Sequence, residues 1–288
     1  MNNAPELRPL GEALGTEVRG VDLSQPIDEP TFAWIARAFA EHAVLVFRDQ
    51  HLGAAELAAF GRRFGAPRQH ALVAYRYEGV PEVSWLRNVD EAGAIDWYGV
   101  KRATDWHTDS TYEPELPLLA ILHALEVPAA KGGTMFADMR AAYDALPEAM
   151  KQRLSDLVGL HGRTDGPVGA RLYSPDEAKN MTDTDYPEQQ RPAVVNHPVS
   201  GRPILFVNPM HTHGFLGMER GEAWRLIEEL AAHATQPEFV YRHSWRVNDL
   251  VIWDNRATMH RARPFEDATY RRELHRVTTL DVEPATHS

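Results

Sequence analysis

Cysteine is absent from the 288-residue chain. That excludes disulfide scaffolds, thiolate zinc sites, iron–sulfur clusters and cysteine nucleophiles together. Any bound metal must therefore be held by His, Asp or Glu. Lysine is nearly missing as well, with 4 Lys beside 26 Arg. Positive charge as a whole is in deficit, since 30 basic against 41 acidic residues leave a formal charge of −11. Such a balance argues against nucleic acid or an anionic membrane as a global partner. No run approaches the ~20 apolar residues of a membrane span. The first residues, Met1 to Glu6, lack the basic start and apolar stretch of a signal peptide. A Gly-rich strand–turn–helix fingerprint is also missing, so neither a dinucleotide fold nor a P-loop is expected. The expectation is a soluble cytoplasmic protein.

What is present reads as strands flanked by a few helices. Asp28-Glu29-Pro30 followed by Phe32, Ile35, Ala36, Phe39 and Ala40 predicts a capped amphipathic helix, because apolar residues recur at i, i+3, i+4 and i+7. Ala43–Phe47 predicts a buried strand, and Ala54–Phe64 a helix stopped by Gly65 and Pro67. Residues 65–104 are loop-rich with a strand near Val83–Leu86. Pro117–Val127 is an apolar run suited to a buried strand, although its Leu and Ala also allow a helix. Asp138–Leu146 and Pro147–Leu157 predict two short helices, and 162–191 a long excursion of the kind that is usually functional or disordered. Strands are expected at 193–197, 203–207, 238–243, 249–253 and 273–280, with one helix at 221–234. Few of these strands are separated by helices, so a mainly β jelly roll with peripheral helices fits better than a βαβ sheet.

The chemistry starts at Trp106-His107-Thr108-Asp109. On a strand, His107 and Asp109 point to one face and can reach one ion, whereas on a helix they diverge by about 200°. Chance alone gives about one His-x-Asp in a chain with 14 His, so the pair by itself says little. His211-Thr212-His213 is a competing pair, flanked by Asn208-Pro209 and Gly214 as a polar loop would be. His260, just past the expected strand at 249–253, raises the standing of His107 and Asp109. Two His and one carboxylate with open positions suit non-haem Fe(II) and oxygen chemistry. Residues 256–276 hold six arginines: Arg256, Arg261, Arg263, Arg271, Arg272 and Arg276. Arg272 and Arg276 are four apart and share a face on a strand. Arginine clamps carboxylates bidentately, so small anionic ligands are indicated. A solvated strand face paired with Glu266, Asp267 and Glu273 is the plainer reading of the same cluster.

Taken together, these motifs resemble the taurine dioxygenase / 2,4-dichlorophenoxyacetate dioxygenase (TauD/TfdA) family of Fe(II)- and 2-oxoglutarate-dependent enzymes. That family has a His-x-Asp, a Thr about 25 residues on, a distal His, and an Arg some 11 residues after it. Here Thr134 follows Asp109 by 25 positions, and Trp253-Asp254-Asn255-Arg256 with His260 matches the distal segment. Aligning Arg271-Arg272 with the family's Arg pair selects Arg272. The phenoxyacetate branch looks nearest, through Asp138–Pro147 and Phe239-Val240-Tyr241-Arg242-His243. The resemblance implies one double-stranded β-helix domain over 1–288, with Fe(II) held by His107, Asp109 and His260. It implies that Thr134 and Arg272 grip the distal carboxylate of 2-oxoglutarate, with O2 as the second co-substrate. Arg276 matches the position that binds the substrate's anionic group, and His70 falls among substrate-pocket residues. The substrate would be a small organic anion, an aryloxyalkanoate-like carboxylate before a sulfonate or sulfate ester, and its remainder would be chosen by the loops at 66–105 and 162–192. A dimer or tetramer rests only on this resemblance. The taurine enzymes carry an Asn four residues before the first metal His, where this chain has Ala103, which argues against taurine itself. Two rival classes use the same residues: a Zn-dependent hydrolase, active without oxygen or 2-oxoglutarate, and a non-catalytic jelly roll that binds small anions through Arg272 and Arg276.

Overall fold

The computed structural model describes residues 4–90, 92–101, 103–129, 131–172, 186–266 and 268–281. The chain begins with strands β1 (Glu6–Pro9) and β2 (Thr16–Arg19), helix α1 (Glu29–His42), β3 (Val44–Phe47) and α2 (Ala54–Arg62). Short strands β4 (Pro67–Arg68) and β5 (Arg76–Tyr77) lead to β6 (Val80–Arg87), α3 (Trp97–Lys101) and the long β7 (Pro117–Glu126). Next come β8 (Thr134–Asp138), α4 (Met139–Asp144), α5 (Glu148–Ser155), β9 (Val158–His161), α6 (Gly169–Leu172) and β10 (Gln189–Pro192). The last third holds β11 (Val194–Asn196), β12 (Pro203–Leu205), β13 (Thr212–Phe215), α7 (Arg220–Ala234), β14 (Val240–His243), β15 (Leu250–Asp254), β16 (Thr258–Ala262) and β17 (Glu273–Leu280).

Strand alternation builds two layers. In β3, Val44 and Val46 point inward to a cluster with Leu122, Phe136 and Trp253. Leu45 and Phe47 point outward to Ile35, Phe39, Leu57 and Phe60 of α1 and α2. A period of two thus loads both faces of one strand with apolar side chains, as a strand buried on both sides requires. The large sheet runs β1-β2-β3-β15-β7-β17-β6-β5, with β4 on β17. Opposite it, β14-β8-β16 closes the jelly roll, and the interior cluster lies between the two. A third cluster, with Met139, Phe215, Leu226 and Leu230, packs α4 and α7 against the far end.

Local chemistry sets the ends of elements. Asp28 accepts from the Thr31 amide and caps α1, Pro30 occupies its first turn, and Ala43 ends it in the left-handed region. Gly61 lets α2 lie close on β17, since a Cβ there would come within 2.6 Å of a Val277 methyl.

The strands expected at 83–86, 117–127, 249–253 and 273–280 are present as β6, β7, β15 and β17. Three expectations change. The excursion at 162–191 contains α6 and β10, and β10 joins β9 and β13 in a small antiparallel sheet; residues 173–185 lie outside the described residues. Strands β8, β13 and β16 had no sequence signal of their own, being four or five residues long and interrupted by Gly, Met or Arg. Finally, His107 does not sit in a full strand. It makes an isolated bridge with His260, and Asp109 follows in a turn. Among the described residues no helix is long and apolar enough to cross a membrane.

Candidate active site

His107 and His260 exchange both backbone hydrogen bonds, at 3.1 and 2.8 Å. They are therefore directly opposed neighbours whose rings lie 4.2 Å apart between centroids. The proximity comes from the backbone rather than from a longer strand. Asp109 is brought in by Asn255, which is almost wholly buried. Its carboxamide accepts from the Asp109 amide and donates to the Asp109 carbonyl, both at 3.0 Å. One side chain thus makes the two-bond ring that a neighbouring strand would have made.

The three side chains converge. His107 Nε2 lies 3.6 Å from one Asp109 carboxylate oxygen, and His260 Nε2 3.8 Å from the other. His107 Nδ1 lies 2.8 Å from the Asp105 carbonyl, to which it donates, so Nε2 is the nitrogen turned toward Asp109. Burial, then the neighbouring His107, pushes His260 well below its usual value, so His260 is neutral. Asp109 is held well below the ordinary carboxylate range: burial opposes ionisation, but Arg276 and the two imidazoles outweigh it. A neutral His260 and an ionised Asp109 are in the protonation states a metal needs. Their ligand atoms lie within 4.8 Å of one another, and this is the one such group among the described residues.

The triad opens on a cavity of about 220 Å³. Thr134 and Arg272, both buried, line it. Arg272 Nε donates to the Gly132 carbonyl at 3.2 Å, which brings the guanidinium beside the start of β8, where Thr134 sits. Trp245 donates from its indole to Thr134 Oγ1 at 3.0 Å. Arg276 lines the same cavity and pairs with Asp109 at 2.5 Å. His70 also lines it, half-buried and tilted against Tyr75. Arg68 and Glu113 form an ion pair of 2.5 Å on another wall.

The competing His211-x-His213 pair does not converge. His211 faces the cavity, edge-on to His107, while His213 pairs with Glu188 at 3.0 Å. A bulge between Thr212 and Gly214 breaks the alternation on which the pairing depended.

The sequence profile described as "Taurine catabolism dioxygenase TauD, TfdA family" matches residues 6–278. The chain belongs to the TauD/TfdA dioxygenase family. Relatives are similar over nearly the full length. The alpha-ketoglutarate-dependent 2,4-dichlorophenoxyacetate dioxygenase of Cupriavidus pinatubonensis (strain JMP 134 / LMG 1197) is 35% identical over 294 residues, covering 95% of this chain and 96% of that protein. The (S)-phenoxypropionate/alpha-ketoglutarate-dioxygenase of Sphingobium herbicidovorans is 37% identical over 272 residues, covering 92% of each. The crystal structure of AAD-2 in complex with Mn(II) and N-oxalylglycine superposes with a TM-score of 0.83 at 31% identity, covering 99% of this chain and all of that one. This TauD/TfdA protein is thus a dioxygenase dependent on alpha-ketoglutarate (2-oxoglutarate), and its fold is the family's jelly roll.

All seven candidate residues, His70, His107, Asp109, Thr134, His260, Arg272 and Arg276, line this one cavity of the TauD/TfdA chain. Asn255, Trp245 and Arg163 had no role in the sequence reading. Asn255 lay inside the Trp253–Arg256 motif, the one local signal that pointed near it; the other two have none.

Proposed function

We propose that His107, Asp109 and His260 hold Fe(II), and that Thr134 and Arg272 grip the distal carboxylate of 2-oxoglutarate. The observation that carries this reading is the convergence of His107, Asp109 and His260 with Thr134 and Arg272 on one cavity. Bound iron would supply activation of O2 coupled to decarboxylation of the keto acid. Overall, a substrate C–H bond becomes C–OH while 2-oxoglutarate becomes succinate and CO2, one atom of O2 going to the alcohol and the other to succinate.

The protein's own contribution is placement. The His107–His260 bridge and the Asn255 ring fix the ligands before any metal arrives, and a buried wall excludes water from the reacting end. Arg276 and His70 mark the substrate side. Small aryloxyalkanoate-like carboxylates are the proposed substrates, supported by the two phenoxyalkanoate-active relatives and by a cavity edged with arginine and tyrosine. Hydroxylation at the ether carbon of such a substrate gives a hemiacetal, which separates into a phenol and an oxoacid.

The test is a titration of 2-oxoglutarate into the anaerobic Fe(II)-loaded protein. A saturable visible charge-transfer band, lost in His107→Ala, is expected. Well-folded, iron-loaded protein without a band would overturn the reading in favour of a hydrolase or an anion binder.

A further inference from the structure

Arginines on the cavity wall mostly have acceptors. Arg276 is paired with Asp109, Arg68 with Glu113, and Arg272 donates to the Gly132 carbonyl. Arg163 differs. It lines the same cavity and is half-buried, yet its guanidinium has no hydrogen bond or ion pair among the described residues. Its Nη1 is enclosed and unpartnered. Arginine keeps its charge at all working pH values, and its donors cannot be silenced by losing a proton. An enclosed guanidinium without an acceptor is therefore a position that an anion stabilises.

Its backbone is held firmly. His211 Nδ1 donates to the Arg163 carbonyl, and the Gly162 amide donates to the His211 carbonyl at 2.9 Å. His211 stands edge-on to His107, with ring centroids 6.3 Å apart. Arg163 is thereby tied to a residue that borders the candidate metal ligands. Tyr112 and Tyr186 line the same cavity, Tyr112 packing against His211 at 4.9 Å and Tyr186 against Tyr112 at 5.4 Å. Charge decides between the two arginines on the substrate side. Arg276 has a carboxylate partner in Asp109, whereas Arg163 has none among the described residues.

We propose that Arg163 binds the anionic group of the substrate, a carboxylate or sulfate whose apolar or aryl body lies along Tyr112 and Tyr186. This rests on the dioxygenase reading of the site and adds a specificity-determining residue to it. No local sequence pattern marks Arg163, and Arg276 alone had been expected to take the anion.

Calorimetry on the anaerobic Fe(II)·2-oxoglutarate holoenzyme tests it, with phenoxyacetate, hexyl sulfate and uncharged phenoxyethanol as probes. Loss of a charge-assisted contact in Arg163→Gln should weaken the preferred anion by about 10–100-fold. The affinity for 2-oxoglutarate and for phenoxyethanol should stay within about twofold, and Arg163→Lys should recover part of the loss. Equal anion affinity in wild type and Arg163→Gln overturns the proposal, as does wild-type holoenzyme that saturably binds neither anion. Failure of wild type to form the 2-oxoglutarate band instead removes the dioxygenase reading itself. A normal band with unchanged anion binding removes Arg163 alone.

Discussion

Replacing Asn255 by Ala asks how much of the metal site is built by one carboxamide. Wild-type Asn255 accepts from the Asp109 amide and donates to its carbonyl, each at 3.0 Å, in a region closed to solvent. Truncation removes both bonds and leaves the Asp109 N–H and C=O without those partners. Each stranded group costs about 1–3 kcal/mol, so the metal-free protein should lose roughly 2–6 kcal/mol of stability. Urea unfolding followed by circular dichroism measures this directly. A second readout addresses position rather than stability: Co(II) titrated by its visible absorption should bind about tenfold or more weakly, as for other groups that orient a metal ligand. A loss below about 0.5 kcal/mol with unchanged Co(II) affinity, within ordinary surface-substitution scatter, would refute the idea that Asn255 places Asp109.

Acidification should destabilise the fold through its buried neutral histidines. Burial, reinforced by His211 and Arg191, lowers His161 to about 3, and burial with His123 nearby lowers His275 to about 4, against about 6.5 when unfolded. The unfolded chain protonates first, so their full contribution is present above about pH 7 and is lost as pH falls through 6.5 towards 4. Each should cost about 1.4 kcal/mol by pH 5.5, and a urea midpoint that stays flat over that range contradicts the assignment. Trp245→Phe removes the indole donor that commits Thr134 Oγ1 as an acceptor and leaves its own proton for a ligand. It should raise the Kd of 2-oxoglutarate by about 3–10-fold with kcat at saturation unchanged; a double-mutant cycle with Thr134→Val should show coupling, and additive effects would count against it. Gly61→Ala pushes a methyl to 2.6 Å from Val277 Cγ1. It should cost about 1–3 kcal/mol, partly recovered by Val277→Ala, and thermal melts of the three variants check it.

How much of this was legible in the sequence depends on the distance over which each feature is encoded. Helices α1 and α2 and strands β3, β7, β15 and β17 announce themselves, because capping residues and apolar periodicity are local. Strands β8 and β16 do not, since their burial comes from facing the large sheet rather than from their own pattern. The site divides the same way. His107 and Asp109 are two apart, and the distal motif ends in His260. But Asp109 is held by a side chain 146 residues away, and Thr134 is oriented by one 111 residues away. Such pairs carry no local signature, and neither does the lone Arg163 guanidinium.

Strand β17 carries two duties on alternate residues. Arg276 and Thr278 look into the cavity, while Val277 supports α2 and His275 packs beneath Trp85. Substitution at the first set can alter which molecules are accepted while leaving the second set, and hence folding, untouched. Insertion or deletion cannot do the same. Gaining one residue would turn Arg276 toward the helices and Val277 into the cavity, losing recognition and core in a single event. Diversification of this scaffold should therefore proceed by point replacement along β17, with length changes confined to the connecting loops.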